Sequence, residues 1–351
     1  MFIIADMQNE IKAYSLTGLK QLVSDAGLPS FRASQLAQWL YLKNATSYEE
    51  MTNLPSAVRS QFTDAYPLFV PQVEDRQISS DGTVKYLLRF HDGALVETVA
   101  MPSLDGRLTV CCSSQSGCAM HCSFCATGRL GLTRSLLPGE IVDQVLIAQD
   151  DMNQRVSNIV IMGQGEPFAN YVNTLNALRI LNDKKLLNIG ARHITVSTCG
   201  LIPGIERFSE EPEQFTLAIS LHSANQQTRD SLMPSCKSYP LDDLKNALST
   251  YIEKTGRRIS FEYALMKGIN DSDGDLRELI EYCKGLLCHV NIIPLNPIHD
   301  SPYKPVSKSV MAHWSEALES VGISTTIRNS RGSDIAGACG QLSSQRQSAR
   351  L

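Results

Sequence analysis

Three cysteines, Cys118, Cys122 and Cys125, fall within eight positions of the stretch GCAMHCSFCATG. Thiolates at this C-x3-C-x2-C spacing are metal ligands, yet they are one short of the four that close a tetrahedral zinc site. Structural zinc sites usually draw their ligands as two separated pairs, and no second pair follows nearby. His121 adjoins Cys122 and would have difficulty reaching the same ion. An iron–sulfur cluster fits the count better: three thiolates hold three irons and leave the fourth for a small molecule to chelate. Phe124, next to the last cysteine, would shield such a cluster from water. Zinc and inert buried cysteines remain the alternatives.

Other residues offer chemistry at a distance from this loop. Cys111, in TVCCSSQSGC, lies seven residues before the cluster motif, and Cys339 lies near the far end in GSDIAGACGQL. A lone cysteine is most often a small hydrophobe. Cys339, however, sits among Gly337, Ala338 and Gly340, where an open backbone leaves the sulfur accessible, so it is a candidate nucleophile. The run IVIMG leads into QGEP, where Gly165 allows close backbone approach and Glu166 has a carboxylate to accept from an ammonium. Alone, Gly-Glu-Pro often only marks a turn. Ser197, the run Ser220-Leu221-His222, and Asn296 stand at three further strand ends. They act as turn-formers or caps unless one crevice gathers them, in which case they are ligands. Glu97, in ALVETV, is either a solvent-facing strand residue or a positioned carboxylate.

The elements that must position these groups follow from the periodicity. Through about residue 75 the chain reads as helices: TGLKQLVSDAG, FRASQLAQWLY and LPSAVRSQF have apolar residues at three- and four-residue spacing, with a break at Gly27 and Pro29. VKYLLRF and ALVETVAM flank HDG and predict a β-hairpin turning at Asp92-Gly93. From about residue 107, strands and helices alternate. RLTVCC, NIVIMG, HITVST, FTLAISLH, RISFEYALM, HVNIIPLNP and STTIRNS read as strands, and HITVST precedes a turn containing Gly and Pro. PGEIVDQVLIAQDDM, VNTLNALRILND, LDDLKNALSTYIEKTG, DGDLRELIEYCKGL and VMAHWSEALESVG read as helices. Such a succession predicts an α/β fold whose parallel sheet closes partly or fully into a (β/α) barrel. Loops after the strand carboxyl ends then form the site. The expected organisation is a helical region over 1–75, a hairpin region over 76–106, a barrel core over 107–342 and a flexible tail over 343–351.

Composition sets the outer limits. The 351 residues are 43% apolar and 19% charged, ordinary for a globular protein, with no apolar run of 18 residues to span a membrane. The amino terminus MFIIADMQNE carries Asp6 and Glu10 and lacks a basic region and a cleavage site, which predicts a cytoplasmic protein. Ten cysteines in that compartment favour metal or redox chemistry over a disulfide framework. A net charge of −4 gives no global reason for a nucleic-acid partner. Local basic candidates are Arg328, Arg331, Arg346 and Arg350, with Arg129 and Arg134 after the cysteine loop; otherwise these are solvated surface charges.

C-x3-C-x2-C with an aromatic before the last cysteine, in the loop after the first strand of a βα series, resembles the radical S-adenosylmethionine (SAM) enzymes. SSQSGCAMHCSFCATG together with DIAGACGQL resembles, more narrowly, the RlmN/Cfr family of radical SAM RNA adenosine methyltransferases. PSFRASQLAQWLY is similar to that family's helical accessory domain and SLHSANQQTRDSLMP to its central stretch, so the resemblance runs from about residue 15 to 342.

The resemblance implies a radical SAM barrel in which Cys118, Cys122 and Cys125 hold one [4Fe-4S] cluster per chain. It implies two SAM molecules per turnover, with Gly165, Glu166, Ser197, Ser220, Leu221, His222 and Asn296 as cofactor contacts. Cys339 would take a methyl group from one SAM by displacement. The second SAM, cleaved on the cluster, would supply a radical that removes a hydrogen from that methyl. The methylene radical would add to an adenine carbon, Glu97 would accept the proton, and Cys111 would attack the Cys339 sulfur, leaving a disulfide. An sp2 amidine carbon is a poor nucleophile, so holding the methyl beside the radical source supplies a route that polar methylation lacks.

The implied substrates are adenosine 2503 of 23S ribosomal RNA and, for the C2-methylating branch, adenosine 37 of some transfer RNAs. The base would be flipped or single-stranded. Arg32 and Lys43 would touch phosphates. The other implied partner is a reducing donor such as flavodoxin, with the chain as a monomer. Gln164 stands where the family usually has Met and would add a hydrogen bond near the cofactor. Of the adjacent Cys111 and Cys112, only one can face Cys339 from an extended strand. Pro167 leans toward the C2 branch over a C8-methylating Cfr-type enzyme. A zinc-stabilised RNA-binding module and a radical enzyme for a small molecule are the remaining readings.

Overall fold

In the computed structural model, which describes residues 10–343, the chain is built around one sheet running the length of the barrel. Strands β1 (Gln72–Ile78), β2 (Val84–Arg89) and β3 (Leu95–Pro102) form an antiparallel meander, and β3 pairs antiparallel with β4 (Leu108–Cys111). β5 (Gln115–Gly117) and β6 (Leu132–Ser135) form a separate small hairpin around the cysteine loop. β7 (Asn158–Ile161), β8 (Ile194–Thr198), β9 (Thr216–Ser220), β10 (Ile259–Leu265), β11 (Cys288–Pro294) and β12 (Ser324–Ile327) continue from β4, each parallel to its neighbour.

The ten-stranded order among the described residues is β1-β2-β3-β4-β7-β8-β9-β10-β11-β12, and β12 is not paired back to β1. The barrel is therefore partial. Its parallel strands are rich in buried apolar residues, as in β10, where only one of seven residues is not fully buried. Helices cover the outside: 138–152, 171–182, 202–209, 241–255, 273–283 and 308–320 each connect consecutive parallel strands. The first begins with Pro138, and Glu140 accepts from the Leu137 amide at 2.8 Å, satisfying a donor at the helix start. The fourth stops at Gly256, whose φ of 63° suits a residue without a Cβ.

The amino-terminal helices 16–25, 31–41 and 56–65 share the barrel's apolar core, which runs without interruption from Ile11 and Leu36 to Trp314. Close packing at this junction depends on Gly139, where a Cβ would lie 2.1 Å from Cβ of Lys12. Residue 75, expected as the end of the helical region, falls inside β1. The polar edge strand β1, the short β5–β6 hairpin and the helix 226–232 are additions to the expected elements. The Gly-Pro turn expected after β8 is in fact the start of helix 202–209, with Pro203 in its first turn. The tail over 343–351, with Arg346 and Arg350, lies outside the described residues except Ser343. No helix among the described residues is long and apolar enough to cross a membrane.

Candidate functional site

The carboxyl ends of the parallel strands surround a cavity of about 430 Å³. Cys118, Cys122 and Cys125 line it from the loop after β5. The loop is held by backbone bonds from Cys118 to Gly131 (2.9 Å) and from Ser123 to Leu232 (2.9 Å). Burial pushes the Cys118 thiol up to about 11 and the Cys122 thiol well above the usual range. Both are therefore neutral without metal and release protons on ligation. No three Cys, His, Asp or Glu side chains among the described residues converge on a point one ion can occupy, these included. His121 is exposed with φ 53°, and Phe124 packs edge-on against His222 at 4.8 Å, walling the cavity beside the thiols. The donor set fits a three-thiolate iron–sulfur cluster.

Next to the cluster loop, the 163–166 turn follows β7. Gly165 has φ 99°, and a Cβ there would meet Cβ of Gln115 at 2.6 Å, so glycine is required. The Glu166 carboxylate accepts from the amides of Cys199 (2.8 Å) and Phe168 (2.9 Å), while burial raises it. The residue lines the cavity. Ser197 and Ser220 face each other with hydroxyl oxygens 3.3 Å apart, both on the cavity wall. His222 Nδ1 accepts from the Ala264 amide (3.0 Å), which leaves the ring proton on Nε2. Burial, then the nearby Arg229, holds this ring neutral, down at about 3.

Two expected cofactor contacts differ from the rest. Leu221 is fully buried and does not line the cavity; strand alternation turns it into the core while Ser220 and His222 face inward. Asn296 lines the cavity but spends its amide on the chain itself: Nδ2 donates to the Cys339 carbonyl (3.2 Å) and Oδ1 accepts from Ser330 Oγ (2.6 Å).

Cys111 and Cys339 line the same cavity. Burial, and then the proximity of Cys339, pushes the Cys111 thiol well up. Cys339 is exposed to the cavity, and enclosure by surrounding groups, followed by Glu262, raises its thiol. Cys112 points the other way into the apolar core and is pushed up to about 12 by burial.

Glu97 is 1% exposed, so it is not a solvent-facing strand residue. Its carboxylate pairs with the buried Lys85 ammonium at 2.9 Å and accepts from the Ser343 amide at 2.5 Å. Because Val99 is opposite Cys111 in the β3–β4 register, Glu97 shares their face of the sheet, but unlike Cys111 it does not line the cavity. Gln164 is buried, and its Oε1 accepts from the Glu97 amide at 3.1 Å. Its added hydrogen bond thus goes to the strand of Glu97.

The basic candidates separate. Arg134 is locked between Asp92 (2.5 Å) and Glu140 (2.7 Å), which removes it from the accessible set. Arg129 is exposed and donates to the His299 carbonyl (3.1 Å). Arg328 is at the cavity rim, and Arg331 pairs with Asp81. On helix 31–41 and just after it, Arg32 lies over the Phe31 ring at 4.8 Å and Lys43 over the Trp39 ring at 3.6 Å. Residues not expected from sequence are Lys85, Gln115, which accepts from the Glu166 amide (2.9 Å), and Glu262 on the cavity floor. The hairpin register carries a signal for Lys85 alone: the Asp92-Gly93 turn sets it diagonal to Glu97.

Comparisons with known proteins agree with this geometry. Residues 112–280 match the radical SAM superfamily, and residues 10–66 match the ribosomal RNA large subunit methyltransferase N-terminal domain. The chain is 45% identical, over 95% of its length and 97% of the relative's, to a probable dual-specificity RNA methyltransferase RlmN of Alkaliphilus oremlandii. It is 47% identical to the protein of the same description from Synechococcus elongatus, over 96% and 94% of the two chains. A crystal structure of a radical SAM methyltransferase from Sphaerobacter thermophilus superposes with a TM-score of 0.90 at 44% identity, covering 96% of this chain and 99% of that one. Sharing this much sequence over nearly its whole length, the chain belongs to the RlmN family of the radical SAM superfamily.

Proposed function

We propose that the protein is a radical SAM RNA methyltransferase that methylates C2 of adenosine 2503 in 23S ribosomal RNA and adenosine 37 in some transfer RNAs. The observation that carries this reading is one cavity that brings Cys339 and Cys111 together with Cys118, Cys122 and Cys125, although more than two hundred residues separate the ends of that set. Cys118, Cys122 and Cys125 would hold the [4Fe-4S] cluster, and Gly165, Glu166, Ser197, Ser220 and His222 would frame SAM, two molecules being used per turnover. Bound there, the two groups supply a methyl donor and one-electron chemistry for hydrogen abstraction.

The chain's own part is covalent and acid–base. The Cys339 sulfur carries the one-carbon unit as a thioether, so the reacting carbon is tethered and the encounter with the base is intramolecular. Glu97 takes the proton from the adenine carbon that has been alkylated, a general-base role for a carboxylate held in place by Lys85 and the Ser343 amide. Cys111 then attacks the Cys339 sulfur as a thiolate; the sulfur–carbon bond breaks with its electron pair passing to carbon, that carbon takes up a proton to become the methyl group of the departing RNA, and the Cys111–Cys339 disulfide is reduced by two electrons from the external donor before the next turnover. Both thiols are raised by burial, so each must lose its proton as it attacks. A donor such as flavodoxin supplies electrons, Arg32 and Lys43 contact RNA phosphates, and the protein works as a cytoplasmic monomer.

Mass mapping of RNA after anaerobic turnover tests the assignment. The expected product is 2-methyladenosine, absent with Cys339→Ala. Formation of 8-methyladenosine, the product of a Cfr-type enzyme, would contradict it.

A further inference from the structure

The segment bearing Cys339 begins where β12 ends and crosses the open seam of the barrel, where the sheet provides no partner strand among the described residues. The turn between β1 and β2 supplies the attachment. Asp81 in that turn accepts from the Gly332 amide through Oδ2 (3.1 Å), and the same oxygen lies 3.1 Å from Arg331 Nε. Arg331 Nη2 donates to the carbonyls of Asp81 (3.2 Å) and of Pro102 at the end of β3 (2.7 Å). In the opposite direction, Asp334 accepts from Ser79 Oγ (2.6 Å) and from the Ser80 amide (3.0 Å). Each side thus reaches into the other with a carboxylate. Gly332, at φ 64°, brings the backbones together, because a Cβ there would lie 2.9 Å from Thr83 Cγ2.

Both carboxylates are ionised. Burial raises Asp81, but hydrogen bonds from Thr83 and Gly332 outweigh it and hold the group at about 2. The Ser79 and Ser80 hydrogen bonds lower Asp334. Exposed ion pairs of this kind contribute little to global stability. Their effect falls on the segment they hold. On its far side that segment is fixed by Asn296 to the Cys339 carbonyl and by Gln341 Nε2 to the Pro297 carbonyl (2.9 Å). Beyond Cys339 the Ala126 amide donates to the Gly340 carbonyl (2.8 Å), Thr127 Oγ1 donates to the Leu342 carbonyl (2.7 Å) and the Ser343 amide donates to Glu97, so the hairpin turn is the attachment on the amino-terminal side of Cys339 and the β11 and cysteine loops hold the other side.

We propose that the Asp81–Asp334 exchange is a latch across the barrel seam that positions the Cys339 sulfur relative to Cys111. Asp81 and Asp334 are positioning residues and touch no reacting atom. The inference rests on Cys339 carrying the one-carbon unit.

The test uses the cluster-loaded enzyme, in which Cys118, Cys122 and Cys125 are ligated. Diamide, which removes two electrons and two protons from a thiol pair, is added anaerobically, and the Cys111–Cys339 disulfide is followed by peptide mass. In the Asp81→Asn/Asp334→Asn variant the disulfide should form roughly tenfold more slowly, and kcat should fall by about the same factor with KM for RNA unchanged. Ser79→Ala, which removes one partner of Asp334, should show a smaller shift in the same direction at unchanged melting temperature. Disulfide formation and kcat at the parent values in both variants would overturn the latch. Full methylation by Cys339→Ala would instead end the reading on which it rests.

Discussion

At the junction between the amino-terminal helices and the barrel, charge is buried and nearly all of it is matched. Lys12 meets Asp143 at 2.5 Å with both side chains almost inaccessible, and Arg134 clamps Asp92 and Glu140. In the cavity, Cys118 and Glu166 are buried, Cys111 and Cys122 half-buried and Cys339 exposed, and all five line a volume of about 430 Å³. Lys12 and Asp143 are surrounded by protein and do not line the cavity, so the first arrangement holds two parts of the chain together. The second keeps the thiols of Cys111 and Cys118 partly out of water on the cavity wall, which raises them and leaves them for ligation or attack. Burial alone does not mark a site.

The largest test of this contrast is on the cavity side. Cys122→Ala should abolish both bound iron with acid-labile sulfide and RNA methylation, because a two-thiolate loop no longer fits the cluster. Disruption of the junction pair by Asp143→Asn should leave iron content at the parent value. Metal analysis of the two purified variants separates the roles.

Glu97→Gln comes next. Loss of a positioned base is expected to lower kcat by roughly 10²- to 10⁴-fold. It also strands the buried Lys85, a destabilising change of about 3–5 kcal/mol. The double variant with Lys85→Met should recover melting temperature without recovering kcat, which measures the two consequences apart.

One group at the junction breaks the matched pattern. Among the described residues Glu10 has a buried oxygen without a hydrogen-bond partner, and burial, then Glu140 and Asp143, raise it from 4.5 to about 8. The folded chain therefore holds a proton there that the unfolded chain releases above 4.5. Stability from this group is present below about 4.5, declines as pH rises to about 8, and changes no further above it. The slope is on the order of 1 kcal/mol per pH unit. Glu10→Gln should raise the melting temperature at pH 8 and barely alter it at pH 4.5, as calorimetry across that range would read. The smallest effect belongs to Lys43→Ala, which should weaken RNA binding and reduce the salt slope by roughly 0.7–0.9 if one phosphate contact is lost.

Much of this was legible in the sequence where local chemistry decides the outcome. The cysteine spacing, the Gly165–Glu166 turn and the alternating strands are set by neighbours within a few residues. The face of Cys111 follows from strand alternation, which also explains why Leu221 goes to the core while Ser220 and His222 line the cavity. β1 escaped because QVEDRQI is polar and pairs by its backbone at a sheet edge. Pro203 reads as a turn residue yet starts a helix. Arg134 has a charge suited to RNA, but only the fold brings Asp92 to it. The Asp81–Asp334 exchange joins Asp81 to Gly332, 251 positions away, and Asp334 to Ser79, 255 positions away, and leaves no periodic trace.

The central claim concerns a single sulfur. Protein expressed with its cluster under anaerobic conditions, digested and weighed, should carry one added methyl on the peptide containing Cys339 and none on that containing Cys111. An enzyme that methylates RNA at full rate while Cys339 stays an unmodified thiol throughout turnover would contradict the account.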